Sequence, residues 1–281
     1  MESIRLEIHA CDHCNLACMG CNHASPFLRK RHYTANDYIP WIERLLDSGA
    51  QIDILAITGG EPFLNKGINE FAAAIKARFP NIWLEIFSNM FWLKDASTFD
   101  EYAGVLSSVN HLNYSLYKPI VEKAGGEHVL HDLVKQAQVR FPNLTVRCTV
   151  GTINEMFALA LHTEYPRPRH VTDEFCFIKD CTQLKADGTL LRCPLGHSIG
   201  SQPGLPKGFA ESKDMKYDLK TDLGVRPYEE WRKKWAFDAC DYCGCGRRRD
   251  TWVNWVSDHT IRGMTAEEYN DRLNILIDEG T

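Results

Sequence analysis

Three cysteines, Cys14, Cys18 and Cys21, fall within eight residues in the spacing C-x3-C-x2-C. Thiolates are the usual ligands of iron–sulfur clusters, and a [4Fe–4S] cube normally takes four of them. A loop this short can turn three sulfurs toward one centre, which leaves one iron for a ligand that is not protein. A zinc site or a disulfide cluster would use the same residue type. Gly59-Gly60-Glu61-Pro62 is a second candidate, because glycines at a strand end let a backbone come close to a ligand; a plain tight turn is the simpler reading. Further on, Cys176, Cys181, Cys193, Cys240, Cys243 and Cys245 lie in a region punctuated by glycine and proline from Gly188 to Gly208. Cys240-x2-Cys243 is spacing suited to a second cluster or to a zinc ribbon.

The elements that must position these groups alternate. Ile4 to His9 reads as a strand leading into the cysteine loop. Ile52 to Thr58 is a largely apolar strand, as expected for burial on both faces, and it runs into Gly59. Trp83–Phe87, Leu112–Tyr117 and Leu144–Val150 continue the series, with a sixth strand expected from His170 to Phe175. Between them the pattern predicts helices. One opens at the capping box Thr34-x-x-Asp37, runs to about Leu46 and stops at Gly49, with Pro40 marking a late start or a kink. Others run from Gly67 to Phe79, Asp95 to Leu106 and Glu127 to Arg140. Such alternation implies parallel strands, right-handed crossovers and a site at the carboxyl ends of the strands. The cysteine loop and Gly59–Pro62 both fall at that end.

After about residue 170 the pattern changes. Thr189 to Arg192 beside Asp187-Gly188 reads as a hairpin. A helix is expected from Tyr228 to Phe237, and a last one to about Asp278, opened by the capping box Thr265-x-x-Glu268.

The chain of 281 residues carries a net charge of −5, with 44% hydrophobic and 25% charged residues. These values are ordinary for a globular protein and give no sign of a nucleic-acid or membrane partner. No signal segment or membrane-length apolar run is visible, so a cytoplasmic location is expected. In such a reducing compartment eleven cysteines point to metal ligation or catalysis before disulfides.

The cysteine spacing, with Gly59-Gly60-Glu61-Pro62 at the end of the second strand, resembles the radical S-adenosylmethionine (SAM) superfamily. The resemblance implies an α/β fold, a partial (β/α)6 TIM-like barrel over residues 1–170. It implies a [4Fe–4S] cluster on Cys14, Cys18 and Cys21, whose open iron is chelated by SAM. One electron then cleaves SAM to methionine and a 5′-deoxyadenosyl radical that takes hydrogen from a substrate. Gly59, Gly60, Glu61 and Pro62 would hold the SAM amino group. Ser88-Asn89 stands where the family has S-N-G or T-N-G, with Met90 in place of glycine. Ser115 and Arg147 are further candidate SAM contacts.

The later cysteines resemble a SPASM/Twitch extension. They imply a small, loop-rich domain over 171–281 with an auxiliary [4Fe–4S] cluster on Cys176, Cys193, Cys240 and Cys243. Cys11 reads as a spare packed thiol.

Together these features imply an enzyme that oxidises a small polar molecule, such as a sugar or aminocyclitol, with an external flavodoxin- or ferredoxin-like electron donor. Epimerisation, with Cys181 or Cys245 returning a hydrogen atom, is the alternative. Peptide modification is a third reading. A non-catalytic zinc- or cluster-binding protein would leave Gly59–Pro62 without a purpose.

Overall fold

The computed structural model describes residues 3–153, 155–157, 176, 181–194, 214–233, 240 and 252–278. The chain forms two compact units. One comprises Met1–His13 with Lys30–Asn154, the other Cys14–Arg29 with Glu155–Thr281. The cysteine loop therefore groups with the C-terminal half of the chain, across the division expected near residue 170.

The first unit is built on parallel strands β1 (Ile4–Cys11), β2 (Ile52–Gly59), β3 (Trp83–Ser88), β4 (His111–Tyr117) and β5 (Thr145–Ile153), in the order β5-β4-β3-β2-β1. Their register runs Leu6 to Leu55, Leu55 to Leu84, Ile86 to Leu112 and Leu112 to Val146. Helices α1 (Ile39–Asp47), α2 (Ile68–Arg78), α3 (Thr98–Glu101), α4 (Ala103–Ser108), α5 (Lys118–Ala124) and α6 (Glu127–Arg140) connect them. This is a mixed α/β fold with a parallel-dominated sheet. The expected sixth strand, 170–175, lies outside the described residues.

Strand side chains alternate faces. Leu6, Ile8, Leu55, Ile57, Leu84, Ile86 and Leu112 are buried on one face, the face that α6 packs on, as the Tyr114–His131 hydrogen bond of 2.7 Å shows. Sequential strand order with right-handed crossovers brings the other helices to that same face. The opposite face is largely polar: Arg5, Glu7, His9, Thr58, Glu85, Asn113, Ser115 and Arg147 lie on it, with Ile54, Ala56 and Phe87 among them.

Three elements depart from the sequence pattern. The capping box of Thr34 and Asp37 closes a separate 3-10 turn, Ala35–Asp37, and α1 begins at Ile39. Pro40 sits in its first turn, where a missing N–H costs nothing, so the helix is not kinked there. The helix expected over 95–106 is broken between α3 and α4. Asn69 of α2 donates to the Glu101 carbonyl and accepts the Val105 N–H, taking up backbone groups that a continuous helix would have paired. Helix α5, directly after β4, has no counterpart in the sequence reading.

The second unit contains an antiparallel sheet of β7 (Cys181–Leu184), β8 (Thr189–Leu191) and β9 (Lys216–Asp218), in which the first two form the expected hairpin around Gly188. Strand β9, three residues long, is too short to show alternation. β6 (Glu155–Phe157) pairs with β10 (Trp252–Asn254). Helix α7 spans Tyr228–Lys233 and buries Trp231; Trp235 lies outside the described residues. Helix α8 (Ala266–Asp278) starts at the expected box, where Glu268 accepts from Thr265 N–H at 2.7 Å and returns its own N–H to the Thr265 hydroxyl at 3.2 Å. Among the described residues no helix is long and apolar enough to cross a membrane.

Gly59 ends β2 at a φ of +126°, opposite Cys11 of β1, and a Cβ there would stand 2.1 Å from the Cys11 carbonyl oxygen. That contact is backbone and cannot swing aside. Gly59→Ala is expected to cost at least about 3 kcal/mol, the upper range for single substitutions, read as a fall in the urea midpoint of unfolding.

Candidate functional site

The strand-end stretch is locked to the exit of β1. Gly60 N–H donates to the Cys11 carbonyl at 2.9 Å, and Glu61 N–H to the His13 carbonyl at 3.0 Å. The Cys11 thiol returns a hydrogen bond to the Glu61 carbonyl at 3.0 Å. Burial, helped by the Glu61 charge, pushes that thiol up to about 12, so it stays protonated: Cys11 is the packed thiol expected. Asn65, after Pro62, donates to the Ala10 and Tyr33 carbonyls and completes the clamp.

The Glu61 side chain turns into the protein and is 1% exposed. Its carboxylate accepts from Ser88 hydroxyl (2.9 Å), Asn89 N–H (2.7 Å) and Phe63 N–H (3.3 Å). Gly59–Pro62 and Ser88-Asn89 are therefore brought together. Ser88 Oγ also accepts from Met90 N–H and Trp92 Nε1, and Asn89 Oδ1 accepts from Phe91 N–H. Met90 takes the left-handed conformation, φ +66°, that glycine would favour, and its side chain is buried beneath the turn. The turn geometry survives the substitution because burying a methionine, worth about 1.5–3 kcal/mol, offsets about 1–2 kcal/mol of backbone strain.

Ser115 and Arg147 stand farther along the polar face. Ser115 Oγ bonds Thr149 Oγ1 at 2.8 Å, and Arg147 on β5 is exposed. Between them and β1 lies a group that motif reading passed over. Glu85 is buried, paired with Arg5 at 2.5 Å and hydrogen-bonded by Asn113 at 2.8 Å. The signal was present as charged residues at alternate positions of otherwise apolar strands.

In the second unit Cys18 is buried and Cys14 and Cys21 are half-buried. Leu16 N–H donates to the Cys14 sulfur at 3.4 Å. Burial pushes the Cys18 thiol up to about 12; the neighbouring Cys21 adds to this and a hydrogen bond from Trp255 opposes it. The loop is gripped by the end of the chain. Ala17 N–H donates to Ser257 Oγ at 2.9 Å, Gly20 N–H to the Tyr269 hydroxyl at 3.0 Å, and Arg262 to the Cys14 carbonyl at 3.3 Å. Ala17, Met19, Ile261, Tyr269 and Leu276 share one apolar cluster. Burial also pushes the Tyr269 phenol up to about 12, with Gly20 N–H opposing and Cys21 adding.

Among the described residues no three His, Cys, Asp or Glu converge on a single metal ion. The ligands of a cubane stand farther apart than those of one ion, because the cube separates them. Three thiols on one loop, with a backbone N–H donating to the Cys14 sulfur, are a donor set that suits an iron–sulfur cluster.

Of the later cysteines, Cys193 and Cys240 both lie near the buried Arg192 guanidinium. Arg192 donates to the Asp214 and Arg232 carbonyls and stacks on Trp231. Cys181 opens β7, and Cys176 is half-buried. Cys243 and Cys245 lie outside the described residues.

The family profile of the Radical SAM superfamily matches residues 8–155, just over half of the chain. The chain belongs to that superfamily, whose members use SAM with a [4Fe–4S] cluster. It is 25% identical over 179 residues to a GTP 3′,8-cyclase of Helicobacter pylori, covering 62% of this chain and 55% of the relative. It is 27% identical over 133 residues to a GTP 3′,8-cyclase of Nautilia profundicola, covering 46% and 41%. The chain thus spans about half the length of the curated relatives it matches. Its fold is similar to that of BtrN solved in complex with AdoMet and 2-DOIA, with a TM-score of 0.51 and 15% identity over 86% of this chain and 93% of BtrN.

Burial raises the Glu61 carboxyl from 4.5 to about 7, against its three hydrogen bonds. The folded protein holds this proton to higher pH than the unfolded chain does. The stability it contributes is complete below the ordinary glutamate range and is lost as pH rises through about 7. Urea midpoints of wild type and Glu61→Gln, compared between pH 4.5 and 7, are expected to differ in slope, with the wild type losing more stability on the alkaline side.

Proposed function

We propose that this protein cleaves SAM reductively and uses the resulting radical to remove hydrogen from a small polar substrate, which leaves oxidised by two hydrogens. Cys14, Cys18 and Cys21 would hold the [4Fe–4S] cluster, and the Gly59–Pro62 stretch would hold the SAM amino group. Bound together, the cluster and SAM supply a 5′-deoxyadenosyl radical when an external flavodoxin- or ferredoxin-like donor delivers one electron. A second cluster on Cys176, Cys193, Cys240 and Cys243 would supply an acceptor for the electron left on the substrate.

The observation that carries the substrate class is the polar strand face of the first unit. A sheet face that served only as core would be apolar. Here Arg5, Glu85 and Asn113 form a bonded polar floor, with Ser115 and Arg147 beside it. Hydroxyl and amino groups of a sugar or aminocyclitol match such a mixture of acceptors and donors. The residues' part is to bind and orient, since the cofactor brings the reactive atom. Arg192 supports the second cluster, because a buried cation beside Cys193 and Cys240 favours their thiolates.

The identity to GTP 3′,8-cyclases supports a second reading, cyclisation of a nucleotide, in which the exposed Arg147 would meet a phosphate.

Anaerobically reconstituted protein is expected to bind iron and sulfide and to form 5′-deoxyadenosine under dithionite. Alanine at Cys14, Cys18 and Cys21 together is expected to abolish that product; persistence of SAM cleavage would sink the proposal. With a panel of sugars, aminocyclitols and GTP, a product lighter by two hydrogens marks oxidation. Solvent deuterium in the product marks epimerisation, and conversion of GTP marks the second reading.

A further inference from the structure

Arg29, Lys30 and Arg31 are consecutive, and all three are exposed, as is His32. The acids beside them are engaged elsewhere. Asp12 accepts from the Tyr33 hydroxyl at 2.7 Å and meets His9 Nδ1 at 3.0 Å. Asp37, the next acid along the chain, accepts the Thr34 N–H at 2.7 Å and its hydroxyl at 2.9 Å. Among the described residues no carboxylate pairs with Arg29, Lys30 or Arg31. The chain as a whole carries a charge of −5, so this run is a local reversal of sign.

The run is pinned to the exit of β1. His32 faces Cys11 across a single antiparallel bridge. Asp12 N–H on the Arg31 carbonyl and Tyr33 N–H on the Ala10 carbonyl, both 3.0 Å, flank it. Asn65 donates to the Tyr33 carbonyl at 2.8 Å, and the His32 ring stacks on His13 at 4.9 Å. The Arg31 guanidinium lies over the Tyr33 ring at 4.7 Å, and Asp12 fixes that ring by its hydroxyl. Arg31 is thus held on a rigid support and still faces water. Cys14 follows Asp12 by two residues, a stretch of chain no longer than about 7 Å. The cations are presented beside the point where β1 hands the chain to the cysteine loop.

A small anion is met by donors that converge in a pocket, whereas these cations follow one another along one exposed stretch. That arrangement suits a large partner of opposite sign, because steering acts through solvent and needs no pocket. The inference rests on the SAM cleavage proposed above, which takes one electron from outside for each SAM cleaved. We infer that Arg29, Lys30 and Arg31 form the docking patch for an acidic one-electron carrier protein. One electron leaves the carrier's reduced cofactor, which is oxidised, for the cluster read on Cys14, Cys18 and Cys21, which is reduced. No covalent bond changes in this step. The patch steers and holds the carrier and touches neither SAM nor substrate.

The test uses the full chain, reconstituted anaerobically, and two double variants: Arg29→Gln with Lys30→Gln, and Arg29→Glu with Lys30→Glu. Arg31 is left in place to keep its stack on Tyr33. The probes are an acidic flavodoxin and, as control, a basic cytochrome c. Binding is measured by titration calorimetry at several salt concentrations. The 5′-deoxyadenosine formed with reduced flavodoxin is compared with that formed under dithionite. Flavodoxin is expected to bind the wild type, more weakly as salt rises. Its Kd is expected to rise about fivefold on neutralisation and about twentyfold on charge reversal, with a flatter salt dependence. The affinity for cytochrome c is not expected to fall. Product driven by subsaturating flavodoxin is expected to drop in step, and product under dithionite to stay unchanged. Unaltered flavodoxin binding in the charge-reversed variant overturns the inference, and so does a wild type that does not bind flavodoxin. Equal loss of product with flavodoxin and with dithionite overturns it too, since the run would then build the site or meet a substrate anion. A wild type that binds flavodoxin and forms no 5′-deoxyadenosine under dithionite overturns the function proposed above, a result distinct from every outcome in the variants.

Discussion

The first unit depends on a close approach between two backbones. The end of β2 presses against the exit of β1 at Gly59, where no Cβ fits under the Cys11 carbonyl. Because the approach is so tight, Gly60 and Glu61 give their N–H groups to Cys11 and His13, and the Cys11 thiol closes the loop in return. Such a clamp fixes where β1 releases the chain into the cysteine loop. It also fixes which way Glu61 points, inward to the end of β3, so that one residue triplet ties three consecutive strands together.

That inward carboxylate illustrates how the strand ends manage polarity. An unpaired buried charge would be costly, and here Ser88 of β3, Asn89 of the turn after it and Phe63 of the turn after β2 all donate to it. The same economy governs the polar face, where Glu85 is matched by Arg5 and Asn113. The helix-covered face is apolar in the ordinary way. One sheet thus combines a core that holds the fold with a second surface of paired charges and hydroxyls, the chemistry that a small polar ligand can exchange for its own.

The cysteine loop obeys a different constraint. Eight residues with three cysteines carry too little apolar surface to order themselves. Order comes from the far end of the chain, through an antiparallel bridge at Ser257, the Tyr269 ring and the face of α8. The loop's grouping with the C-terminal unit follows from this packing. A division of the chain near residue 170 places the loop with its sequence neighbours, because sequence adjacency does not show that Ala17 and Met19 pack with Ile261, Tyr269 and Leu276.

Local pattern alone determined much of this protein. The alternation of strand and helix, the stop at Gly49, the turn at Gly188, the capping boxes at Thr34 and Thr265, and the cysteine and glycine motifs were all legible, because each rests on interactions within a few residues. Membership in the Radical SAM superfamily was legible for the same reason. Long-range contacts decided the rest. Asn69 broke the helix over 95–106, Met90 could hold a left-handed turn once its side chain was buried, and Arg5 met Glu85 only when β1 and β3 were placed in one sheet. Ser257 and Tyr269 carried no motif at all. Their grip on Ala17 and Gly20 of the cysteine loop arises from proximity, and proximity between residues so distant in the chain is set by packing, which no local pattern encodes.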